Sequence, residues 1–361
     1  MKHYRLSNHD IIINTDKKIN YEKNNELLDS LKKCKCKIDN VNLKKWEIAK
    51  KSHNNYEYIY TSSNMKKNVS CVLPVSRSYF KLLEILYEFN LFSNNKFFSC
   101  IAEGPGGFIQ CLHDTYNNKR LNINCVNCIT LISNDRKIPN WNNLILSNPK
   151  NNVQYGLSKD GDIYQLDNCL NYIDNHKEKC FLVTSDGGFD FSENYNEQEL
   201  NSIKLLYSEI FIALNVQDIN GNFVIKMFDL LDFKTIQLLY ILYIHYEEIN
   251  FYKPDTSRLS NSEKYIVCKG FRGINNVIME HLKENFNNIE NLNIFVPDSF
   301  IQQINEYNIK FIENQKKNIN EVLNIVNNNK HIKNTPTLFQ IQTAKKWCNK
   351  YNLKINELII H

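Results

Sequence analysis

Two glycine-rich segments each follow a short apolar run, and each contains an acidic residue. Glu103 opens the first segment, residues 103–108, and Asp186 lies near the start of the second, residues 184–190. Glycine allows a backbone to approach a ligand closely, and a carboxylate at a strand end can accept hydrogen bonds from amines or hydroxyl groups. Because ligands of open α/β sheets bind outside the carboxyl ends of the strands, both segments are predicted to face one crevice.

The spacing of the first glycine segment restricts the kind of ligand. The segment contains neither G-x-G-x-x-G nor a terminal Lys-Ser/Thr pair, so it is poorly suited to nucleotide phosphates. A ligand without phosphates, such as S-adenosylmethionine, fits it better. Taken alone, the segment is also compatible with a tight turn between a strand and a helix.

A lysine interrupts an apolar run further along the chain. Lys226 lies within residues 223–228, which are otherwise apolar and predict a strand. Such a lysine is either an edge residue whose amine reaches solvent or a functional amine in a partly desolvated site. This run is the next predicted strand after the one that ends at Asp186, so a site shared by Lys226 and Asp186 is favoured.

Two further motifs connect these segments to a known family. Residues 76–85 read SRSYFKLLEI, and residues 253–258 read KPDTSR, followed by NSEKY at residues 261–265. Together with the glycine segments and Lys226, they resemble in type and order the motifs of the FtsJ/RrmJ-like ribose 2'-O-methyltransferases. The resemblance spans about residues 74–271. It implies a Rossmann-like α/β methyltransferase sheet, S-adenosylmethionine as the cofactor and RNA as the substrate.

The resemblance implies roles for particular side chains. The catalytic tetrad would be Lys81, Asp186, Lys226 and Glu263. The residues that bind the cofactor would be Glu103, Gly104, Gly106, Gly107, Phe108 and Asp186, with Asp162 near the adenine. The long flanking segments and Glu103 depart from the smallest family members, which leaves the substrate open but not the reaction.

The tetrad also has a chemical rationale. A ribose 2'-hydroxyl is a weak nucleophile, so its attack on a methyl group requires that its proton be removed or its oxygen be held in line. The pKa of a lysine base must fall from near 10.4 to roughly 7–8, and burial beside the ammonium group of Lys81 is expected to lower the pKa of Lys226 in this way. Asp186 and Glu263 would orient that amine, and no metal ion is required.

Short β-like runs alternate with helical patterns, which predicts a doubly wound α/β sheet. Helices are expected from the glycine loop to residue 116 and at residues 196–214 and 233–244, and strands at residues 97–103, 122–131, 180–185, 222–228, 248–252 and 264–271. This order resembles the seven-stranded methyltransferase sheet. The predicted divisions are a basic N-terminal accessory segment at residues 1–70, the FtsJ-like methyltransferase domain at residues 71–272 and a C-terminal helical region at residues 273–361.

Charge and hydropathy indicate the cellular context. The net charge of +5 favours a polyanionic partner only slightly. The lysine-rich stretch before Tyr56 is interpreted either as a phosphate-facing surface or as a solvated helix face. No apolar stretch is long enough for a signal peptide or a membrane span, which predicts a soluble, intracellular protein with no membrane partner.

The 11 cysteines are predicted to be reduced thiols, because their number is odd and their spacing repeats no ligand pattern. Cys125 and Cys128 form a single C-x-x-C motif, which could indicate a zinc site. They lie in a predicted strand, however, where residues three apart face opposite sides of the sheet. A metal site is therefore not expected.

Within the family, residues 196–200 and 226–228 are most similar to the Adrift-type branch, which methylates mRNA caps in eukaryotes and in large DNA viruses. The leading hypothesis is therefore methylation of a cap-proximal nucleotide of mRNA, in the host cytoplasm if the source is viral. Such an enzyme needs an aromatic pocket for the cap, but 20 tyrosines and 20 phenylalanines single out no candidate. No protein partner is indicated.

Three alternatives make different predictions. A ribosomal or transfer RNA ribose methyltransferase would use the same chemistry on another substrate. A non-catalytic RNA-binding subunit predicts the loss of at least one tetrad residue, whereas all four are present. A dehydrogenase with a similar α/β plan predicts the dinucleotide-binding glycine spacing, which the first segment lacks.

Overall fold

The computed structural model describes residues 2–8, 11–14, 21, 24–94, 97–188, 197–328 and 335–357. The ends of two motifs named above, residues 189–190 and residue 196, lie outside the described residues. The described chain forms a mixed α/β structure around one sheet of eight strands. This architecture confirms the predicted Rossmann-like α/β class.

The strands follow one another along the chain as β1 His3–Arg5, β2 Phe97–Ile101, β3 Cys125–Ile129, β4 Asn151–Gln154, β5 Cys180–Ser185, β6 Gln217–Met227, β7 Tyr246–Tyr252 and β8 Lys264–Phe271. In space their order is β1-β7-β8-β6-β5-β2-β3-β4. Strands β2 to β6 pair in parallel, whereas β8 is antiparallel to both β6 and β7, and β1 is antiparallel to β7. The carboxyl ends of the parallel strands therefore share one edge.

Strands β5 and β8 have the predicted bounds, but β1 and β4 were not predicted. These two strands are only three and four residues long, and each contains a single strongly apolar or aromatic residue. Such short polar segments lack the alternation that identifies a strand in a sequence. Their pairing with β7 and β3 decides their conformation.

The helices are α1 Asn25–Lys35, α2 Leu43–His53, α3 Ser78–Glu88, α4 Gly107–Asn118, α5 Asn143–Leu146, α6 Leu166–Asp174, α7 Gln198–Val216, α8 Phe233–His245, α9 Asn276–Glu284, α10 Asp298–Asn328 and α11 Leu338–Lys350. Polar side chains cap several of them: Asn42 accepts a hydrogen bond from the amide of Lys45, and Asp232 accepts one from the amide of Lys234. Such caps satisfy amides that have no partner within the helix.

Both faces of the central sheet are buried. Phe223 and Ile225 of β6 pack into a core with helices α6 to α10, whereas Val224 between them packs into a second core with α3, α4 and α11. A strand that is covered on both faces is apolar at successive positions. The charged side chain of Lys226 therefore stands out in β6, one residue before the strand ends.

Both flanking segments contact this core. Strand β1 extends the sheet at its β7 edge. Helices α1 and α2 pack on α10 through Cys34 and Trp46 against Ile319. Near the other end of the N-terminal segment, the amide of Cys71 donates to the main-chain oxygen of Lys354. The predicted limits at residues 70 and 272 remain a prediction.

The thiols and the helices of the described chain relate to two predictions from the sequence. All 11 cysteines are free thiols, and residues 125–129 form β3, as the sequence predicts. Cys128 is fully buried in that strand, whereas Cys125 is only partly buried. Within the described ranges, no helix combines the length and apolar character that a membrane span requires.

Candidate active site

The ends of three neighbouring strands bring Asp186, Lys226 and Glu263 together. Asp186 directly follows β5, Lys226 is the penultimate residue of β6, and Glu263 directly precedes β8. In the parallel β5–β6 pair, Ser185 lies opposite Ile225. Because β8 runs antiparallel to β6, its start lies at the edge where β6 ends.

Lys81 reaches the same edge from helix α3. Its ammonium group donates to Oε2 of Glu263 at 2.8 Å. A second ion pair joins Nζ of Lys226 to Oδ1 of Asp186 at 3.2 Å, and the same ammonium donates to the main-chain oxygen of Asp186 at 2.6 Å. The structure thus arranges the four predicted residues as two neighbouring ion pairs. Their catalytic role remains a prediction.

The pKa of Lys226 shifts in the direction opposite to the expected one. Burial lowers the pKa of this amine, but the negative charges of Asp186 and Glu263 outweigh burial and raise the pKa above its ordinary value. The expectation of a lowered pKa is wrong, because it gave the Lys81 ammonium more weight than the carboxylates. Lys226 is therefore an ammonium group at neutral pH.

Glu263 is a strongly stabilised carboxylate. Burial raises its pKa, but the charges of Lys81 and Lys226 lower it to about 2. The hydroxyl of Ser257 donates to Oε1 of Glu263 at 2.8 Å, and Nζ of Lys253 donates to its main-chain oxygen at 2.6 Å. The loop before β8 therefore holds both the charge and the orientation of Glu263.

Tyr265 belongs to the same network, although it was not predicted. Its hydroxyl donates to Oδ1 of Asp186 at 2.7 Å, and the residue is fully buried. A signal was present in the sequence, because residues two apart in an extended segment point to the same side. Once Glu263 had been selected, Tyr265 two positions later was a natural candidate.

The glycine loop lies beside the tetrad, between β2 and α4. Gly104 and Pro105 line the same cleft as Asp186, and the amide of Gly104 donates to Oγ1 of Thr130 at 3.1 Å. Gly106 has a φ of +111°, and a Cβ at this position would lie 2.4 Å from Cγ1 of Ile145. Both the backbone conformation and the space therefore require glycine at position 106.

Glu103 and Phe108 support this loop from the protein interior. The amide of Phe108 donates to Oε2 of Glu103 at 3.3 Å, close to the start of helix α4 at Gly107. The ring of Phe108 is fully buried, 5.9 Å from that of Tyr265. Phe108 thus places its backbone in the loop, while its side chain packs in the core.

A buried carboxylate oxygen beside the loop is suited to a positively charged ligand. Oε1 of Glu103 is buried and has no hydrogen-bond partner among the residues that the structure describes. Burial and the negative charge of Asp186 raise the pKa of Glu103 well above its ordinary value. A cationic amine or sulfonium nearby would offset that repulsion, so these residues fit S-adenosylmethionine.

Asp162 lies in a loop that is connected to the glycine loop through Thr130. A Cβ at the neighbouring Gly161 would lie 1.9 Å from the main-chain oxygen of Thr130, whose side chain contacts Gly104. Oδ1 of Asp162 accepts the amide of Tyr164 at 2.9 Å. The structure therefore places Asp162 on the glycine-loop side of the sheet edge, and its contact with adenine remains a prediction.

A cleft of about 500 Å³ lies in front of the tetrad. Its lining includes Asp186, Lys226 and Glu263 on the sheet side. The flanking segments supply further lining side chains, namely Lys35, Ile38, Trp46, Lys50, Gln315 and Ile319. Lys35 and Lys50 belong to the lysine-rich stretch that was interpreted as a phosphate-facing surface or a solvated helix face, whereas the other four residues were not selected from the sequence. The clustering of lysines in the N-terminal segment was the only sequence signal for this part of the cleft, and no signal indicated Trp46.

The chain is similar to curated cap methyltransferases over most of its length. It is 29% identical over 307 residues to cap-specific mRNA (nucleoside-2'-O-)-methyltransferase 1 of Mus musculus, covering 78% of this chain and 36% of that protein. It is also 29% identical over 280 residues to cap-specific mRNA (nucleoside-2'-O-)-methyltransferase 2 of Pongo abelii, covering 72% and 36%. The chain thus spans about one third of the length of these relatives.

Among solved structures, the chain resembles one described as a ribosomal RNA methyltransferase from Plasmodium falciparum. The TM-score is 0.40 at 24% sequence identity, and the match covers 55% of this chain and 99% of that one. The sequence model of the FtsJ-like methyltransferase family matches residues 74–271, which is more than half of the chain. These residues include the tetrad and the glycine loop. The chain belongs to the FtsJ-like methyltransferase family.

Proposed function

We propose that the protein transfers a methyl group from S-adenosylmethionine to a ribose 2'-hydroxyl of RNA. The observation that carries this proposal is the convergence of two Lys–carboxylate ion pairs beside a glycine loop, with Asp186, Lys226 and Glu263 lining one cleft. Two lysines and two carboxylates can hold a hydroxyl group and accept its proton without a metal ion. The family membership supports methyl transfer as the reaction.

The glycine loop and its neighbours would hold the cofactor. Gly104 and Gly106 leave room for close approach, Oε1 of Glu103 offers an acceptor to a cationic group, and Asp162 would lie towards the adenine. Bound S-adenosylmethionine supplies an electrophilic methyl group. The methyl acceptor would then lie on the side of Lys226 and Glu263, since these residues line the cleft next to Gly104.

Lys226 is the proposed base. In its neutral form, the amine accepts the proton of the 2'-hydroxyl while the oxygen attacks. Asp186 and Glu263 then stabilise the resulting ammonium group, which is the physical meaning of the raised pKa of Lys226. The neutral form is a minority at neutral pH, but it is a stronger base than an ordinary amine. Its fraction increases as the pH rises, so the reaction is expected to accelerate.

The proposed substrate is the cap-proximal part of mRNA. The curated relatives are named as cap-specific mRNA methyltransferases, which supports this choice over other RNAs. The cleft wall adds Trp46 as an aromatic side chain and Lys50 as a cation at the same opening. Trp46 is buried, however, and Nζ of Lys50 pairs with Oε1 of Glu47 at 2.6 Å, so the support for RNA comes from the relatives and not from this wall.

Methyl transfer to matched short RNAs tests both parts of the proposal. One RNA carries a 5' methylguanosine cap and the other has a bare 5' end, with labelled S-adenosylmethionine and nuclease mapping of the product. We expect label on a cap-proximal 2'-oxygen in the capped RNA alone. Equal labelling of the two RNAs, or labelling at internal positions, would indicate a structural RNA as the substrate. No labelling of either RNA would contradict the proposed activity.

A further inference from the structure

A buried glutamate of the N-terminal segment lies between the two elements that carry Lys81 and Glu263. Glu57 begins a turn of 3-10 helix, Glu57–Ile59, and its side chain is completely buried. We propose that Glu57 is a positioning residue that aligns the Lys81–Glu263 ion pair. This role deepens the proposed function and depends on it. The N-terminal segment would then be part of the catalytic machinery rather than a peripheral addition.

Glu57 binds two arginines at once. Oε2 accepts Nε of Arg258 at 3.1 Å, and Oε1 accepts Nη2 of the same residue at 2.9 Å. Nη1 of Arg77 donates to Oε1 at 3.2 Å, and Nδ2 of Asn54 donates to Oε2 at 3.0 Å. Bidentate guanidinium–carboxylate contacts fix orientation as well as distance. Glu57 therefore holds Arg77 and Arg258 in one defined arrangement.

The first connection runs through Arg77 to Lys81. Arg77 directly precedes helix α3, and Lys81 lies one turn into that helix. The contact between Glu57 and Arg77 therefore fixes the start of the helix that delivers the ammonium group. Nζ of Lys81 then contacts Oε2 of Glu263.

The second connection runs through Arg258 to Glu263. The residue before Arg258 is Ser257, which is buried and whose hydroxyl donates to Oε1 of Glu263 at 2.8 Å. Thus one oxygen of Glu263 is held by Lys81, which lies one helical turn after Arg77, and the other by Ser257, which directly precedes Arg258. Loss of the Glu57 charge would leave two partly buried guanidinium groups without their common partner, which is costly.

A second buried glutamate fixes a different part of the same loop. Glu84 of α3 accepts the hydroxyl of Tyr252 at 2.6 Å and the amide of Asp255 at 2.8 Å. The beginning of the loop is therefore attached to α3 without Glu57. Within this loop, the contribution of Glu57 is then confined to residues 257–263, which makes an effect on the Lys81–Glu263 pair the expected result.

Glu57→Gln tests the proposal, with Glu47→Gln as the matched control. Glu47 also lies near Arg258, at 3.8 Å, but its side chain is 51% exposed. We expect Glu57→Gln to lower kcat about 10- to 100-fold, as a small misplacement of catalytic groups does, while KM for S-adenosylmethionine changes less than about twofold. The control variant is expected to retain kcat within about twofold. If Glu57→Gln does not fold, Arg258→Lys replaces it, because this variant keeps the charge but removes the bidentate contact. The same changes in kcat and in KM for S-adenosylmethionine are then expected.

The pKa of Glu263, followed by carboxyl NMR, provides a readout that does not require turnover. Looser contact with Lys81 should raise this pKa from about 2 towards its ordinary value in Glu57→Gln but not in Glu47→Gln. An unchanged kcat and an unchanged pKa of Glu263 would overturn the role of Glu57. A parallel loss of kcat and cofactor affinity would also overturn it, because it would indicate general destabilisation. Absence of methyl transfer by the unmodified protein would instead remove the proposed function.

Discussion

The two halves of the cleft are built in different ways. The half that is proposed to bind the cofactor, called the cofactor half, consists mainly of residues 103–108, which are contiguous in sequence, and its shape depends on the absence of side chains at Gly104 and Gly106. The half that is proposed to be catalytic, called the catalytic half, depends on ion pairs between distant residues, with Lys81 and Glu263 182 positions apart. One half is therefore sensitive to added volume and the other to lost charge. Substitutions of each kind should have separable effects.

Lys226→Ala should have the largest effect and should act only on the catalytic half. Removal of the proposed base is expected to lower methyl transfer at least about 10³-fold, while the cofactor dissociation constant changes only a few-fold. Transfer of labelled methyl groups and calorimetric titration measure the two quantities. Lys177→Ala, at an exposed lysine before β5, should change neither. Substantial turnover by the Lys226 variant would eliminate the proposed base.

Gly106→Val should have the next largest effect and should act on the cofactor half. Valine would meet the side chain of Ile145 and would have to adopt a φ of +111°, so cofactor affinity is expected to fall about 100-fold. Gly273→Val is the matched control, because Gly273 has a similar φ of +109° and does not line the cleft. Titration of both variants with S-adenosylmethionine measures the two dissociation constants. Intact affinity in the Gly106 variant would show that this loop does not hold the cofactor.

Glu263→Gln should change the pH dependence of the reaction. The carboxylate of Glu263 helps to raise the pKa of Lys226, so its loss should lower that pKa. Because the neutral amine is the active form, activity rises with pH through the pKa of Lys226, and the rise should move to lower pH in the variant. Profiles of kcat/KM against pH for both proteins measure the shift. A shift to higher pH would be inconsistent with this electrostatic arrangement.

Asp162→Asn should have the smallest effect, and it sharpens the boundary of the cofactor half. If Asp162 contacts the adenine, KM for S-adenosylmethionine should rise about fivefold with little change in kcat. The amide oxygen of asparagine can still accept the amide of Tyr164, so the loop should persist. Asp167→Asn, at an exposed residue of α6, serves as the control. Equal KM values in all three proteins would place Asp162 outside the site.

The sequence by itself determined the local features of both halves. Strands β5 and β8 are apolar enough to have been delimited correctly, and the position of the glycines between a strand and a helix identified the loop at residues 103–108. The chemical types of Lys81, Asp186, Lys226 and Glu263 were also evident. Such features depend on neighbouring residues and on periodicity, which a sequence displays directly.

Only the tertiary structure decided how charges and flanking segments combine. The sign of the pKa shift of Lys226 depends on how close Asp186 and Glu263 lie, and the role inferred for Glu57 depends on Arg77 and Arg258 meeting at one carboxylate. Electrostatic interactions depend on distance in space and on burial, and residues far apart in the chain set both quantities. For the same reason, β1 became a strand only because β7 offers it an edge to pair with.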